Sequence, residues 1–248
     1  MIVGRTIATG SLAALIGLGT IALAQRPERG WGFNPGGPMQ GKVVTNEPYS
    51  GVGVTTSMRT LNDGTNINNA ECVKVYRDSS GRTRREITPK SSTCSSTPQS
   101  IVITDPVAGV EYFINPQNST YRERKFMPPA AGSTTTTGTP PTNPDSVQTS
   151  LGTEPIPGTS LTAEGTKTVT TIPAGQRGNS QAIVITSIRW YSPDLQVVVQ
   201  SSRTDPRTGN TNYQLSSIST AEPAASLFQL PSGLTEQQGP AGHFRHGN

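Results

Sequence analysis

Few side chains in this sequence could carry out acid–base or nucleophilic chemistry. The two histidines, His243 and His246, both lie in a polar tail at the end of the chain. Nucleophilic catalysis needs a base held beside the nucleophile, and the strand-forming part of the sequence has no histidine to act as one. His-x-x-His without a neighbouring carboxylate is also a weak signal for a metal. The histidines therefore predict neither catalysis nor a metal site.

Carboxylates are the other candidates, because two of them suffice to cleave a glycosidic bond. Four glutamates fall in segments that we expect to be strands: Glu71, Glu86, Glu111 and Glu123. They stand among Lys and Arg at positions expected to face solvent, which favours ordinary surface charge. The sequence also contains no Gly-rich phosphate loop and no zinc framework. We predict a protein that is not an enzyme and that binds no cofactor and no metal.

The chain contains only two cysteines, Cys72 and Cys94. In an exported protein, two cysteines most simply form one disulfide. Closing a loop of roughly 23 residues would stabilise the fold by about 3 kcal/mol in the chain-entropy model. Because Cys94 lies in a loose Ser/Thr-rich stretch, a free reactive pair stays open as the competing interpretation.

Arginines form the one mild cluster of charge, in two groups: one lies around the Asp78 turn, and the other lies on a later predicted strand. We expect an anion-attracting patch made of Arg77, Arg82, Arg84, Arg122 and Arg124. If the two groups lie side by side, the patch would suit phospholipid head groups, lipopolysaccharide or an acidic protein. The alternative is a solvated sheet face whose charges prevent aggregation. Alternation along the strand places Arg85 on the face opposite Arg82 and Arg84.

Three turns of similar sequence would position these side chains. Each has an Asp after one β-rich run and a Gly before the next: Asp78 to Gly81, Asp105 to Gly109 and Asp205 to Gly209. Asp opens such turns by accepting hydrogen bonds from the nearby backbone, and Gly takes the positive-φ position that ends them. Short loops closed by Gly are typical of β-hairpins. The pattern predicts an antiparallel all-β protein.

The first residues have the pattern of a secretory signal peptide. A positive Arg5 precedes an apolar run, and small residues lead to a cleavage site between Ala24 and Gln25. We predict a periplasmic or secreted protein that does not span a membrane after cleavage, with an uncleaved anchor as the alternative. Export removes nucleic acid as a partner, and the aromatic platforms that stack bases are missing. The formal net charge of +4 is too small to demand an anionic partner.

Composition divides the chain into one domain and several unstructured segments. After the signal peptide (1–24), a Gly/Pro-rich stretch (25–41) is expected to be a flexible tether. The antiparallel β domain is expected over 42–235, interrupted by a Thr/Pro-rich low-complexity loop at 127–150. Residues 236–248 are expected to be a disordered tail.

Motifs in the second half of the sequence resemble one family. A Trp-led strand contains Trp190, a hairpin with a central Gly spans Asp205 to Tyr213, and Leu227-Phe-Gln-Leu-Pro-Ser-Gly233 follows. This order is similar to the closing strands of LolA-like domains, which are periplasmic lipoprotein carriers and sigma-factor regulators of Gram-negative bacteria. The strings Tyr76 to Glu86 and Ile103 to Gly109 resemble a set of uncharacterised exported bacterial proteins. The resemblance implies a single, strongly curved sheet that forms a half-barrel or open barrel.

The same resemblance implies an exported binding module of the cell envelope that holds a lipid or lipoprotein segment in its curved sheet. The alternative is an envelope protein-interaction or sensor protein with no small-molecule ligand. A carrier needs large apolar residues on its concave face, whereas these strands supply mainly Val, Thr and Ile with few aromatic residues. That composition favours the interaction protein.

Overall fold

A computed structural model of the protein describes residues 43–127 and 145–237. The expected signal peptide with Ala24 and Gln25, the expected tether and both histidines of the tail lie outside these residues. So does the part of the expected low-complexity loop between 128 and 144. No helix in the described part of the chain is long and apolar enough to cross a membrane.

Strands make up nearly all of the regular structure. Their bounds are β1 Tyr49–Thr60, β2 Asn66–Arg77, β3 Thr83–Pro89, β4 Ser100–Asp105, β5 Val110–Asn115, β6 Thr120–Lys125, β7 Ser146–Pro155, β8 Thr162–Ile172, β9 Ile183–Ser192, β10 Val197–Asp205, β11 Gly209–Ser219 and β12 Thr235–Glu236. A single 3₁₀ turn, Ala225–Phe228, is the only helical element in the two described ranges.

All the strands belong to one sheet, in the order β12-β6-β5-β4-β3-β2-β1-β11-β10-β9-β8-β7. Every neighbouring pair is antiparallel except β12, which lies parallel to β6. The sheet has two ends, β12 with β6 on one side and β7 on the other, and it does not close into a barrel. The predicted all-β class is therefore confirmed, and so is the single sheet, which is antiparallel except at β12.

The sheet curls towards one of its faces, which we call the inner face. Val73 and Val75 of β2 point to this face and pack with Leu215 of β11. From the end of β2, Arg77 Nη2 donates a 2.6 Å hydrogen bond to the backbone oxygen of Leu195, in the turn before β10. In a flat sheet β2 and β10 would lie roughly 14 Å apart, because two strands separate them. The contact therefore requires the strong curvature that was predicted.

The opposite, outer face of β3–β6 is covered by the C-terminal segment, residues 220–237. Leu230 and Leu234 of this segment pack on a cluster of Ile101, Ile103 and Ile114. The 3₁₀ turn contacts β3 and β4, and β12 pairs with the start of β6. On the inner face of β4–β6, no element of the described ranges makes a comparable contact. Within the described ranges, the C-terminal segment thus covers the outer face of this half of the sheet and not the inner face.

The three predicted Asp-to-Gly turns are confirmed. Asp78 Oδ1 accepts from the Arg82 backbone N–H over 2.8 Å, and Asp105 Oδ1 accepts from two backbone N–H groups of its own turn. Asp205 Oδ1 accepts from the Arg207 backbone N–H over 3.0 Å. The closing glycines all have positive φ, at 82°, 67° and 89° in chain order. Each turn joins two adjacent antiparallel strands, as the pattern indicated.

The expectation of a loop over the whole of 127–150 is wrong for its last residues. The structure places Ser146–Ser150 in β7, which pairs with β8 from Ser146↔Thr170 onwards. Composition alone favoured a loop there, because Thr and Pro dominate the stretch 127–150. The strand forms nevertheless, since β8 offers it a complete backbone ladder.

Candidate functional site

Arg77 belongs to the core and not to an open patch. It is 1% exposed, and its guanidinium lies 4.7 Å from the centre of the Tyr49 ring. Its Nε donates to the Glu47 backbone oxygen over 2.8 Å, in addition to the bond to Leu195. Burial lowers the pKa of Arg77 and raises the pKa of Tyr49 to about 12. These contacts hold β2 against the turn before β10 and leave Arg77 inaccessible to a ligand.

The guanidinium groups of Arg82 and Arg84 also make their contacts within the fold. Arg82 Nε pairs with Asp78 Oδ2 at 2.5 Å, and its guanidinium lies 5.3 Å from the centre of the Phe228 ring. Arg84 Nε donates to Glu86 over 2.8 Å, while its Nη1 donates to the Leu227 backbone oxygen over 3.1 Å. Both arginines therefore hold the C-terminal segment against the outer face.

The second group, Arg122 and Arg124, lies on β6 and is separated from β3 by β4 and β5. Two intervening strands place the groups roughly 14 Å apart, so they do not lie side by side. The five arginines therefore do not assemble the single patch that was expected from them. The reason is that each arginine near the Asp78 turn has a nearby carbonyl, carboxylate or aromatic ring.

A different row of residues crosses the inner face of this half of the sheet. The strand register aligns them directly opposite one another: Val75, Arg85, Val102, Phe113 and Arg122. Residues directly opposite in a sheet share a face, so this inner row alternates apolar and cationic side chains. Phe113 is 41% exposed, and Val102 is half-buried. Sequence alternation placed Arg85 on this face, but it gave no sign of its neighbours.

Arg85 is the member of the inner row with an unsatisfied hydrogen-bond donor. Its Nε is buried, and no atom of the described residues accepts a hydrogen bond from it. Burial lowers the pKa of Arg85, while the nearby Glu71, Tyr213 and Tyr49 act in the opposite direction. A buried guanidinium N–H left without an acceptor is costly, and an anion placed against it would remove that cost.

Acidic residues flank the inner row without covering it. Glu111 lies two residues before Phe113 on β5 and pairs with Arg124, whose guanidinium lies 5.6 Å from the centre of the Phe113 ring. Glu71 lies near Arg85 across β2 and is half-buried. Arg85 and Arg122 therefore supply the positive charge of the row, while Arg124 is committed to Glu111. The alternation of cationic and apolar side chains along the inner row suits a molecule that combines an anionic group with an apolar chain.

The two remaining glutamates that were considered as candidate carboxylates form ion pairs. Glu86 and Glu123 each face a cation, Arg84 and Lys125 respectively. Within the described ranges, no group of three or more His, Cys, Asp or Glu could hold a metal ion. The predicted disulfide is confirmed, since Cys72 and Cys94 are bonded with their Cα atoms 5.4 Å apart.

Two clefts open at the ends of the long hairpins rather than on the inner row. One, of about 620 Å³, separates the β1–β2 turn from the β10–β11 turn and is lined by charged and polar residues that include Arg59, Asp63 and Arg207. The other, of about 550 Å³, includes Asn68 and Lys90. Both clefts are open to solvent, and more polar than apolar residues line each of them.

Solved structures similar to this chain include LolA superfamily proteins, as the sequence motifs implied. An uncharacterized conserved protein from Thermus thermophilus matches with a TM-score of 0.43 at 9% identity, covering 77% of this chain and 90% of its own. A chain of the Pseudomonas aeruginosa MucA/MucB complex matches with a TM-score of 0.41 at 12% identity, covering 77% and 58%. A LolA superfamily protein from Nitrosomonas europaea matches with a TM-score of 0.33 at 9% identity, covering 76% and 93%.

No protein-family model matches the sequence, and no match is found among curated proteins. The likeness to the solved structures is one of fold, and it carries no ligand, partner or activity over to this chain.

Proposed function

We propose that this protein is a non-enzymatic binding module of the bacterial cell envelope. On this proposal the inner row on β3–β6 holds an anionic amphiphile, such as a lipid or the acylated segment of a lipoprotein. The observation that carries the proposal is Arg85, whose buried Nε has no acceptor among the described residues. It lies beside Val102, which is half-buried, so that an anion bound to it would have apolar surface on the side towards β4.

The amphiphile fits the spacing of the row. Directly opposite residues on neighbouring strands lie about 5 Å apart, so Val102 and Phe113 extend the apolar surface by roughly 10 Å from Arg85. Arg122, on β6 at the far end of the inner row from Arg85, supplies a second cation. An acyl chain lying across the strands would contact the two apolar residues, and its head group would lie against a guanidinium.

Location in the envelope is supported by the expected signal peptide and by the Cys72–Cys94 disulfide. Disulfides persist in oxidising compartments such as the periplasm and are rare in the cytosol. The buried position of Cys72, which is 0% exposed, fits a structural bridge and not a reactive thiol.

The first test is to isolate the exported protein from bacterial envelope and to measure its mass under native conditions. We expect bound lipid, and we expect uptake of a fluorescent long-chain fatty acid by the delipidated protein. An uncharged analogue of the same chain length should bind at least about tenfold more weakly, because charge-assisted hydrogen bonds contribute roughly 1.5–3 kcal/mol. A clean apo mass together with no uptake of the probe would overturn the proposal.

Matched variants locate the site. Arg85→Gln should weaken binding of the fatty acid by about tenfold or more, for the same reason. Lys125→Gln is the control, because Lys125 lies on β6 with Arg122 but opposite Val110, on the outer side of the sheet. If both variants bind as the wild type does, the anion does not bind at Arg85.

A protein-interaction module is the second candidate. It is favoured by the shape of the surface, since Phe113 of the inner row is exposed and the two clefts are lined largely by polar residues. In that case the inner row would bind an acidic segment of another envelope protein. A pull-down from envelope extract that returns a protein with wild type but not with Arg85→Gln, while no lipid binds, would favour this candidate.

A further inference from the structure

The last strand of the sheet, β7, has a partner strand on only one side among the described residues. It pairs only with β8, and its other neighbour position is empty in the described structure. The Thr171 backbone N–H donates to the Asp145 backbone oxygen over 2.9 Å. Because bonded and non-bonded residues alternate in an antiparallel ladder, the backbone groups of Ser146, Gln148 and Ser150 point away from β8. These groups form a row of donors and acceptors that no strand within 43–127 or 145–237 pairs with.

Natural sheet edges are usually protected by charged residues, prolines, bulges or covering segments. The opposite edge of this sheet follows the rule, because β12 covers the start of β6 and the rest of β6 is Arg122-Glu-Arg-Lys125. Residues Ser146–Gly152 of β7 carry no charge and no proline. Two large apolar side chains are also exposed there, Val147 at 66% and Leu151 at 40%.

The open edge has a defined length. The β7–β8 register shifts between Ser150 and Gly152, and Gly152 has φ +86°. Such a bulge bends the strand and interrupts pairing on its outer side. Pro155, at the end of β7, has no backbone N–H to donate. The usable edge is therefore Ser146–Ser150.

This edge is complementary to itself. If two copies meet antiparallel about a two-fold axis at Gln148, Ser146 lies opposite Ser150 of the second copy, and each Gln148 lies opposite its equivalent. The backbone groups that point outward from one strand then face those that point outward from the other. Each pair of opposite residues with outward-pointing groups can therefore exchange two backbone hydrogen bonds. We propose that β7 is a homodimer interface, in which Ser146–Ser150 pairs with the same segment of a second copy of this chain.

The pairing also covers the exposed apolar residues. Val147 would lie opposite Thr149 of the second copy, with that copy's Val147 and Leu151 as its diagonal neighbours. Diagonal neighbours in a sheet are about 7–8 Å apart, within reach of branched apolar side chains. No like charges face one another in this register, because Ser146–Ser150 is uncharged.

The interface would be weak, since one strand edge buries far less than the roughly 1,600 Å² of a standard interface. We expect a dimer that forms with a Kd of the order of 100 µM. The inner row lies on strands towards the opposite end of the sheet, so dimerisation through β7 leaves the inner row free. The proposed dimer therefore does not depend on the proposed function.

Cross-linking gives the sharpest test, using the exported full chain. In the described structure both cysteines are bonded, so Gln148→Cys supplies a single thiol there. Bonded antiparallel pairs have their Cα atoms about 5.5 Å apart, a separation that suits a disulfide. We expect Gln148→Cys to form a covalent dimer under mild oxidation at least about tenfold faster than Thr153→Cys, the control beyond the bulge. Equal rates for the two variants would overturn the proposal.

Analytical ultracentrifugation of the uncrosslinked protein provides a second, independent measurement. Val147→Lys should weaken the dimer by about tenfold or more, because the two-fold axis repeats each lost contact and brings like charges together. Val184→Lys is the control, since Val184 is an exposed valine on β9, two strands from the edge. A wild-type protein that stays monomeric up to about 1 mM, or a dimer that Val147→Lys leaves unchanged, would contradict the interface.

Discussion

Neutralising Asp205 should destabilise the fold in a pH-dependent way. The carboxylate is 2% exposed, accepts from the Arg207 backbone and side chain, and pairs with Arg203 at 3.1 Å. The Arg207 side chain is the main cause that lowers the pKa of Asp205 from 3.8 to about 2. That gap corresponds to about 2.5 kcal/mol at neutral pH, and we expect about 2 kcal/mol because water screens the half-exposed arginines.

The sign of the pH dependence follows from the direction of this pKa. A depressed folded-state pKa gives stability that is present above about pH 4 and is lost as the pH falls through about 2. Asp205→Asn keeps an oxygen that can accept from the Arg207 backbone but removes the charge. The difference in unfolding free energy between wild type and Asp205→Asn should therefore be largest above pH 4 and should shrink below it.

Urea unfolding followed by tryptophan fluorescence, from pH 7 down to about pH 2.5, measures this difference. All other carboxylates are common to both proteins, so their titrations cancel. Asp194→Asn removes an exposed carboxylate and should change stability by no more than about 0.5 kcal/mol at neutral pH. A difference between wild type and Asp205→Asn that is constant over the whole range would refute the electrostatic account of this turn.

Three further predictions concern stability. Replacing both Cys72 and Cys94 by Ala should lower the unfolding free energy by about 3 kcal/mol, measured by urea titration, because the bond closes a loop with a sequence separation of 22; no loss would mean that the loop is constrained without it. Gly209→Ala should cost clearly more than Gly64→Ala in thermal unfolding, since both have positive φ but only a Cβ at Gly209 would clash with a backbone oxygen, that of Met58; equal losses would rule out the clash as the cause. Arg84→Ala should speed proteolysis within the C-terminal segment by releasing it from β3, whereas an unchanged digestion pattern would show that the segment is held by its apolar contacts alone.

Local chemistry was enough to predict the turns and the class of the fold. Asp78, Asp105 and Asp205 accept the expected backbone bonds, since an Asx turn depends only on residues two to four positions away. The disulfide was predictable for a similar reason, because the chain has no other cysteine with which either could pair. Such features depend on composition and on contacts between residues that are close in the sequence.

The site was harder to predict, because it depends on which strands become neighbours. The sequence grouped Arg77 with Arg84, yet one is buried in the core and the other holds the outer cover. Arg85 follows Arg84 directly in the chain, and only the strand register shows Val102 and Phe113 beside it. The β7 edge was missed because its Ser/Thr-rich sequence is also typical of loops, and pairing with β8 decides the outcome.

Photo-crosslinking with a diazirine-labelled fatty acid tests the central claim most directly, because it maps where the chain lies on the wild-type protein. We predict that the label attaches to inner-row residues of β4 and β5, above all Val102 and Phe113, and that excess unlabelled fatty acid prevents it. Labelling confined to the hairpin clefts near Met58 and Asn210, or no competable labelling at all, would contradict the assignment of the inner row as the binding surface.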